Sequence, residues 1–432
     1  MSGIKPVVMT PDEKAREYAQ SIAPAVSEKD GPLLHATKDM RRLATPWSVA
    51  IARASLLNNN EIPTGIVLDP ACGSGTQLAA ICTTLERPGI GVELSGSVAP
   101  MAAINIDNCG KWDGKKWSTS SRVLWGDGTN AKDVIETFTT QTSIDQQIAI
   151  LHVDPARPND AQKHTLDEME PRLDVLLSAW APFLKNGAAL ILDLSPRLSN
   201  KQREQVDQIV SEIWGDIMTT WQWMTQGRGR IDRLSLWVGT AACSQPNRLV
   251  RLSKSGEIHH LEGKNKTSQV SDDIVEIGEF LSIIDPCLIA SGLAESWKEI
   301  ATSGKSRWNT ITGRRPILIT SEPILLSYNE PSIQKETYDM AHSFVQIKGE
   351  VVAHISTLDF ESLSEITQIA TKLGLSSLKI RCTVDPTIQP KLQSALDREM
   401  RQSCAENSTD LGFITEANNG YVICKEMGRD PA

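Results

Sequence analysis

The chain has 432 residues, of which 40% are hydrophobic and 22% charged, and its formal net charge at pH 7 is −9. This composition is typical of a globular protein of two or three domains and excludes collagen-like, coiled-coil and largely disordered chains. No apolar run approaches the ~18 residues of a transmembrane helix, so we expect no membrane span. The first residues lack a signal-peptide core, and we expect a cytoplasmic protein. The eight cysteines form no CxxC pair, which predicts neither disulfides nor a bound metal.

The N-terminal part of the chain is predicted to be helical. Thr10 and Pro11 are residue types that cap and start a helix, so one helix is expected from about residue 10 to residue 30. Thr45 is expected to cap a further helix that starts at Pro46. These helices would precede the first apolar strand pattern.

Short apolar runs then alternate with helical patterns. The runs predicted to be strands cover residues 66–69, 90–94, 121–127, 148–154, 188–194, 218–224 and 231–239. Helices are predicted between them, including residues 165–184 and 199–214. This alternation predicts an α/β fold, a doubly wound and mostly parallel sheet of seven strands with helices on both faces. The last two strands, joined by a short loop, are expected to be antiparallel.

The pattern changes after residue 243. A hairpin is predicted over residues 247–263, followed by a polar linker and then by mixed strand and helix patterns. We therefore expect an α+β domain at the C-terminal end. The predicted organisation is a helical segment over 1–60, an α/β domain over 61–243 and an α+β domain over 244–432.

A glycine-rich loop follows the first strand of the α/β domain. Residues 69–76 read DPACGSGT, and Gly73 and Gly75 would allow a sharp turn and a close approach to a ligand. The helix that follows presents free backbone amides at its N-terminus. Alone, such a loop is a weak signal, because a turn with two glycines is often structural.

Carboxylates end four consecutive predicted strands. They are Asp69, Glu93, Asp127 and Asp154. Open α/β sheets bind ligands at the carboxyl ends of their strands, where Glu93 could hold both hydroxyls of a ribose and Asp127 could accept a hydrogen bond from an adenine amino group. Acidic residues also follow strands as turn or cap residues, but four in series beside a glycine loop favour a ligand site.

The motif series DPACGSGT, GVEL, WGDGTN and VDPAR resembles that of class I S-adenosylmethionine-dependent methyltransferases, over about residues 45–240. The resemblance implies S-adenosylmethionine as the cofactor, with Asp154 next to the transferring methyl. Arg157, three residues further on, is a second candidate catalytic residue. The cofactor-binding residues that it implies are Asp69, Ala71, Gly73, Ser74, Gly75, Thr76, Glu93, Asp127 and Asp154. A dinucleotide-binding dehydrogenase is the competing interpretation, but the loop lacks a complete GxGxxG.

The fourth motif restricts the chemistry. Enzymes that methylate exocyclic base amines resemble one another in carrying Asp/Asn-Pro-Pro and then an aromatic residue, which stacks the flipped base. Ala156 and Arg157 occupy the last two positions here, which disfavours base stacking by this loop. Pyrimidine C5 methylation needs a cysteine nucleophile near the fourth or fifth strand. No cysteine lies between Cys109 and Cys243, so the sequence argues against this reaction.

Arginines are expected around the mouth of the cleft. They are Arg157, Arg197, Arg228 and Arg230. Because guanidinium groups suit phosphate, we interpret them as contacts for an RNA backbone. Ordinary salt bridges to Asp154, Asp193 or Asp232 are the alternative.

The C-terminal half contains the segments IDPCLIASGLAESW, SFVQIKGEV and LKIRCTVDP. With these segments it is similar to the THUMP-like domain that some methyltransferases carry, and this resemblance implies an RNA substrate, tRNA before rRNA. The alternatives for this half are an interaction domain or a dimerisation domain. For the whole chain, they are a methyltransferase for a protein or small molecule, and a non-catalytic RNA-binding or assembly protein that keeps the cofactor pocket.

Overall fold

A computed structural model describes residues 5–28, 31–43, 45–58, 60–142, 147–155, 165–227, 229–325, 334–403, 409–418 and 420–428. By its internal contacts, the chain divides into two compact units. Unit 1 comprises Met1–Trp223, Asp232–Arg248 and Lys254–Ile258. Unit 2 comprises Met224–Ile231, Leu249–Ser253 and His259–Ala432. Between residues 223 and 259 the chain passes repeatedly from one unit to the other. The division into segments 1–60, 61–243 and 244–432 stays a prediction.

The first part of the chain alternates strands and helices. Its strands are β1 (Val7–Met9), β2 (Val26–Ser27), β3 (Leu33–Leu34), β4 (Ile66–Asp69), β5 (Gly89–Glu93), β6 (Arg122–Trp125), β7 (Ile148–Val153), β8 (Leu184–Leu194), β9 (Thr219–Thr225), β10 (Arg233–Gly239), β11 (Asn247–Leu252) and β12 (Ile258–Gly263). Its α-helices are α1 (Glu13–Ile22), α2 (Lys38–Leu43), α3 (Trp47–Ala54), α4 (Thr76–Leu85), α5 (Ala99–Asp113), α6 (Ala131–Thr142), α7 (Leu173–Trp180) and α8 (Asn200–Trp214).

Within the described residues, ten of these strands form one sheet in the order β1-β6-β5-β4-β7-β8-β10-β9-β11-β12. The strands from β6 to β8 pair in parallel, whereas β1 and β10 pair antiparallel with β6 and β8. An α/β fold with a large mixed sheet is therefore confirmed. The sheet is wider than the seven strands expected, because β1 extends one edge while β11 and β12 extend the other.

The centre of this sheet is buried on both faces. Every residue of β4 and β7 is buried, which explains why all of their residues except Asp69 and His152 are apolar. The order of the strands reverses between β4 and β7, because β5 and β6 lie on one side and β8 on the other. Ligands of open α/β sheets bind at such a reversal, outside the carboxyl ends of the strands.

Several helix ends differ from the sequence prediction. Asp12, rather than Thr10, caps α1, and its carboxylate accepts a hydrogen bond from the Ala15 amide. Pro46, rather than Thr45, occupies the N-cap position of α3. The helix predicted over residues 165–184 is shortened to α7 and flanked by two short 3₁₀ turns. Pro171 and Pro182 explain the two breaks in this helix, since a proline disfavours helical geometry in the residue before it.

The second part of the chain is α+β. Its strands are β13 (Phe280–Ile284), β14 (Ser306–Thr310), β15 (Ile317–Thr320), β16 (Val345–Ile355), β17 (Leu375–Ile380), β18 (Asp410–Ala417) and β19 (Gly420–Glu426). Its helices are α9 (Pro286–Ala290), α10 (Ala294–Ala301), α11 (Lys335–Ser343), α12 (Leu363–Lys372) and α13 (Gln389–Ser403). In the described part of the chain these strands form one sheet in the order β14-β15-β13-β16-β19-β18-β17.

Each unit contains its own apolar core. In unit 1, Trp47, Ile81 and Ile150 belong to a buried cluster formed by helices α3 to α5 and the sheet. In unit 2, Leu378 and Leu396 belong to a cluster that joins α12 and α13 to the second sheet. Among the described residues, no helix combines the length and the apolar character needed to cross a membrane. The same residues contain no group of three or more His, Cys, Asp or Glu side chains that could hold a metal ion.

Candidate functional site

The loop between β4 and α4 depends on its glycines. Gly73 and Gly75 have φ angles of 52° and 75°, a region that other residues adopt only at a steric cost. Gly75 occupies the N-cap position of α4, and its amide donates to the Cys72 carbonyl at 2.8 Å. A Cβ atom at Gly73 would meet no other atom within 4 Å. The backbone at Gly73 therefore faces open space into which a ligand can come close.

Glu93 reaches this loop from the end of the neighbouring strand β5. Its Oε2 accepts a hydrogen bond from the Gly73 amide at 3.0 Å, and its Oε1 accepts one from the Ser95 amide at 2.8 Å. Burial raises the pKa of the Glu93 carboxyl, and the two amide hydrogen bonds partly offset that rise. The structure thus brings together Gly73 and Glu93, two residues that the sequence placed in one site.

The loop after β6 also approaches the glycine loop. The Asp127 carboxylate accepts hydrogen bonds from the amide and the hydroxyl of Thr129, at 2.9 and 2.7 Å. At the next position, a Cβ atom on Gly128 would collide with the carbonyl oxygen of Pro70. Asp127 is therefore held in a turn that packs directly against the loop after β4.

The remaining loop residues predicted to contact the cofactor are buried or half-buried. Asp69 is 2% exposed, and its Oδ1 accepts a hydrogen bond from the Ala71 amide at 3.1 Å. The hydroxyls of Ser74 and Thr76 lie 2.9 Å apart. The Ser74 carbonyl also accepts a hydrogen bond from the buried Asn105 side chain at 2.9 Å. These hydrogen bonds fix the shape of the glycine loop on its buried side.

A buried network of charged groups lies beneath the loop. His152, on β7, is 1% exposed, and its two ring nitrogens contact two carboxylates. Nδ1 lies 2.8 Å from Asp69 Oδ2, and Nε2 lies 3.2 Å from Asp193 Oδ2. Because both ring nitrogens face acceptors, the geometry fits the doubly protonated imidazolium.

Arg53 completes this network from helix α3. Its guanidinium forms a two-pronged ion pair with Asp193, in which Nη1 lies 2.7 Å from Oδ2. The same Nη1 donates to Gln77 Oε1 at 2.9 Å. Arg53 is 1% exposed and Asp193 5% exposed, so both charges depend on their partners.

The charges of the network shift the pKa of its members. Burial alone would lower the pKa of His152, but the charge of Asp69 and the hydrogen bonds to both carboxylates raise it to about 10. For Asp193, burial would raise the pKa, but Arg53 and His152 outweigh it and hold the pKa well below its ordinary value. The network is therefore a set of opposite charges that stabilise one another.

Asp154 follows β7 and retains accessible surface, although protein atoms surround it on most sides. Desolvation and the nearby charge of Asp193 raise the pKa of its carboxyl, while His152, Arg233 and Arg53 lower it. The net shift is upward. Asp154 is thus an accessible carboxylate next to the buried network and a better proton acceptor than an ordinary aspartate.

The predicted arginine mouth is only partly covered by the described residues. Arg157 and Arg228, together with Ala156, lie outside them. Arg197 and Arg230 are exposed. Asp193, one of the carboxylates considered as a salt-bridge partner for the arginines, is held by Arg53 and His152. The grouping of the four arginines stays a prediction.

Sequence reasoning missed Arg53, Gln77 and the roles of His152 and Asp193. One signal was available, because Arg53 stands in the apolar sequence of α3 and His152 stands in the apolar sequence of β7. A charged group on a buried element requires a partner. The identity of that partner could not be read from the sequence, because Arg53 and Asp193 are 140 positions apart.

Comparison with known proteins finds similarity in structure but none in sequence family. No family model matches the chain, and no curated protein matches it. A crystal structure of a "putative methyltransferase" from Porphyromonas gingivalis W83 matches with a TM-score of 0.58 and 14% identity, over 92% of this chain and 84% of that one. The two proteins share a fold.

Other solved structures match about half of this chain. One is a predicted O-methyltransferase from Agrobacterium tumefaciens, with a TM-score of 0.31 and 18% identity over 47% of this chain and 85% of that one. Another is the type I restriction-modification methyltransferase subunit of Streptococcus thermophilus, with a TM-score of 0.32 and 14% identity. The second match covers 50% of this chain and 48% of the other.

Proposed function

We propose that the protein is an S-adenosylmethionine-dependent methyltransferase. The observation that carries the proposal is the open space above Gly73, beside the Glu93 carboxylate, at the point where the strand order reverses. The fold shared with the Porphyromonas gingivalis protein, which is described as a "putative methyltransferase", supports it. The motif series of the sequence adds independent support.

The residues present fit this cofactor. The glycine loop over Asp69, Ala71, Gly73, Ser74, Gly75 and Thr76 would hold the methionine part, since no side chain fills the space above Gly73. The Glu93 carboxylate would accept hydrogen bonds from the two ribose hydroxyls. The Asp127 carboxylate would accept one from the adenine amino group. When bound, S-adenosylmethionine supplies an electrophilic methyl group on its sulfonium sulfur.

Asp154 would act on the acceptor. Its carboxylate is accessible and its pKa is raised, so it can orient a nucleophile and accept the proton that leaves it. The protein otherwise contributes proximity and orientation, because a methyl transfer of this kind needs the two reactants in line. Arg157 would contact the acceptor beside Asp154.

We further propose RNA as the acceptor, tRNA before rRNA. The likeness of the C-terminal half to THUMP-like domains supports this choice, as do Arg157, Arg197, Arg228 and Arg230 if they contact phosphates. The net charge of −9 means that only local basic groups could hold RNA. A protein or small-molecule acceptor, or cofactor binding without catalysis, would be the alternative outcome of the test.

The test has two parts. Binding of S-adenosylmethionine to the purified protein would be measured by calorimetry, and Glu93→Gln should weaken it by about tenfold. Transfer of radiolabelled methyl would then be measured on size-fractionated RNA from cells that lack this gene. We expect label in the tRNA fraction, reduced about a hundredfold or more by Asp154→Asn.

Asp216→Asn is the matched control, because Asp216 is an exposed carboxylate that lies two residues beyond the end of α8. It should bind the cofactor and transfer methyl as the unchanged protein does. Cofactor binding without label in any RNA would reject the RNA acceptor and direct the search to proteins and small molecules. No binding of S-adenosylmethionine would reject the whole proposal.

A further inference from the structure

Unit 2 contains a cavity that the proposed methyl transfer does not use. Its volume is about 260 Å³, and all of the residues that line it belong to unit 2. The polar residues that line it are Arg251, Arg315, Arg381, Asp285, Ser343 and Gln346. Guanidinium groups thus dominate a space close to the lower size limit of small-molecule sites.

The guanidinium of Arg251 occupies space that only a glycine at position 227 leaves free. A Cβ atom at Gly227 would collide with the Arg251 guanidinium, and Gly227 has a φ angle of 76°. The Gly227 amide donates to the Thr225 hydroxyl oxygen at 2.9 Å, and that hydroxyl donates to Asp285 Oδ2 at 3.0 Å. Arg251 Nη1 lies 3.9 Å from the same Asp285 oxygen. The turn is thus shaped to seat Arg251.

Asp285 serves the structure of the wall. It is 1% exposed, and its Oδ1 accepts a hydrogen bond from the Cys287 amide at 2.9 Å as the N-cap of α9. Burial raises the pKa of its carboxyl, while the bonds to Cys287 and Thr225 and the charge of Arg251 lower it. The single carboxylate at the cavity is therefore already solvated by protein groups.

The other polar groups are fixed from different strands. Arg315, which precedes β15, donates from its guanidinium to the Cys382 carbonyl. Gln346 on β16 donates to the Ile284 carbonyl at 2.9 Å. Arg381 follows β17, its amide bonds to the Ile414 carbonyl at 2.7 Å, and its side chain is exposed. Three arginines from separate parts of the chain thus meet at one cavity.

The net charge of the side chains that line the cavity indicates what kind of ligand it can bind. Three guanidinium groups and one carboxylate give a formal charge of +2 at the cavity, in a chain whose total is −9. A phosphate monoester carries about −1.5 to −2 charges at pH 7 and has three acceptor oxygens. Guanidinium forks match such oxygens in geometry as well as charge.

We propose that this cavity binds the phosphate group of a phosphate monoester, with Arg251, Arg315 and Arg381 as the contacts. The monoester is either a free nucleotide or the phosphorylated end of an oligonucleotide, which share this chemistry. The site does not depend on methyl transfer, and its test uses no S-adenosylmethionine.

Calorimetry on the full-length protein tests the site with uridine 5′-monophosphate, inorganic phosphate and uridine. We expect both phosphates to bind and uridine not to bind. Arg251→Gln and Arg381→Gln should each raise the dissociation constant for uridine 5′-monophosphate about tenfold. Gly227→Ala should do the same, because the added methyl displaces the Arg251 guanidinium.

Arg314→Gln is the matched control, since Arg314 adjoins Arg315 in sequence, is exposed and lies outside the cavity wall. It should bind uridine 5′-monophosphate within about twofold of the unchanged protein. Arg381 has an exposed side chain, so its variant keeps the test valid even if Arg251→Gln fails to fold. Absence of phosphate binding, binding of uridine alone, or unchanged affinity in Arg381→Gln and Arg251→Gln would overturn the proposal.

The source of the phosphate is distinguished by a second titration. A short oligoribonucleotide with a 5′-phosphate would be compared with the same oligonucleotide ending in a 5′-hydroxyl. Tighter binding of the phosphorylated oligonucleotide than of uridine 5′-monophosphate would assign the site to a nucleic-acid end. The reverse order would assign it to a free nucleotide.

Discussion

His152 carries a positive charge inside the sheet because two carboxylates face its ring. The contacts to Asp69 and Asp193 raise its pKa to about 10, so the folded protein holds a proton that the unfolded chain loses near its ordinary pKa of 6.5. The stability that this proton contributes is complete below pH 6.5. It is lost as the pH rises through the folded pKa.

We therefore predict a pH-dependent effect of His152→Gln. The difference in free energy of unfolding between the unchanged protein and the variant should shrink as the pH rises from about 7 to about 9, by up to about 1.4 kcal/mol per pH unit. Urea unfolding at several pH values would measure it. His354→Gln, at an exposed histidine, should show no such trend. A difference that stays constant with pH would contradict the charged state of His152.

At the residue scale, sequence indicated the glycine loop and its acids but not the network beneath them. Gly73 and Glu93 are close, as the order of the strands implied. The partners of His152 could not be inferred, because a side chain on a central strand can face either side and its neighbours come from distant segments. Arg53 lies on a helix that precedes the sheet, and no local pattern linked it to Asp193.

Helix α8 shows how an element's start is set by two side chains. The Ser199 hydroxyl accepts a hydrogen bond from the Gln202 amide at 3.3 Å, and Gln202 Oε1 accepts one from the Ser199 amide at 2.8 Å. This reciprocal pair satisfies two amides that the helix leaves without partners. Ser199 occupies the N-cap position of α8, at the start of the helix that the sequence predicts over residues 199–214.

Ser199→Ala is predicted to lower the free energy of unfolding by about 1 kcal/mol. The hydroxyl that accepts the Gln202 amide is lost, and water replaces it only in part. Urea unfolding monitored by circular dichroism would measure the change. Ser211→Ala, on the exposed side of the same helix, is the control and should have no effect or a slightly stabilising one, since alanine favours helix. Equal effects of the two substitutions would rule out the capping role.

Strand and helix types were predictable where the pattern was long and local. The central strands followed from continuous apolar runs, since both of their faces are covered. Strand β1 has three residues, too few to show a period, and only its pairing with β6 makes it a strand. The helix expected over residues 165–184 was too long, because the helical sequence pattern continues across Pro171 and Pro182, whereas the α-helix covers only Leu173–Trp180.

At the scale of the whole molecule, unit 2 depends on two segments that precede its main part. Met224–Ile231 supplies Thr225, whose hydroxyl reaches the buried Asp285, and Leu249–Ser253 supplies Arg251. Sequence could not show this, because the change of pattern near residue 244 reflects the local composition and not these long-range contacts.

We predict that a fragment of residues 224–432 is more stable than a fragment of residues 244–432, by about 1–3 kcal/mol. The shorter fragment loses the Thr225 hydroxyl and leaves the Asp285 carboxylate with one partner fewer in a buried site. Urea unfolding of the two fragments would measure the difference. Thr225→Val in the longer fragment should reproduce most of the loss. Equal unfolding midpoints for the two fragments would contradict the prediction.

The division into units also determines the order in which the two units can fold during synthesis on the ribosome. Every segment of unit 1 has been synthesised once residue 258 emerges. The other two segments made by then, Met224–Ile231 and Leu249–Ser253, belong to unit 2, whose remaining part is His259–Ala432. Unit 1 can therefore fold during translation, as N-terminal domains generally do. The two early segments of unit 2 have none of their partners from His259–Ala432 until that part of the chain has been made, so we expect these two segments of the nascent chain to be the most exposed to misfolding and to chaperone binding.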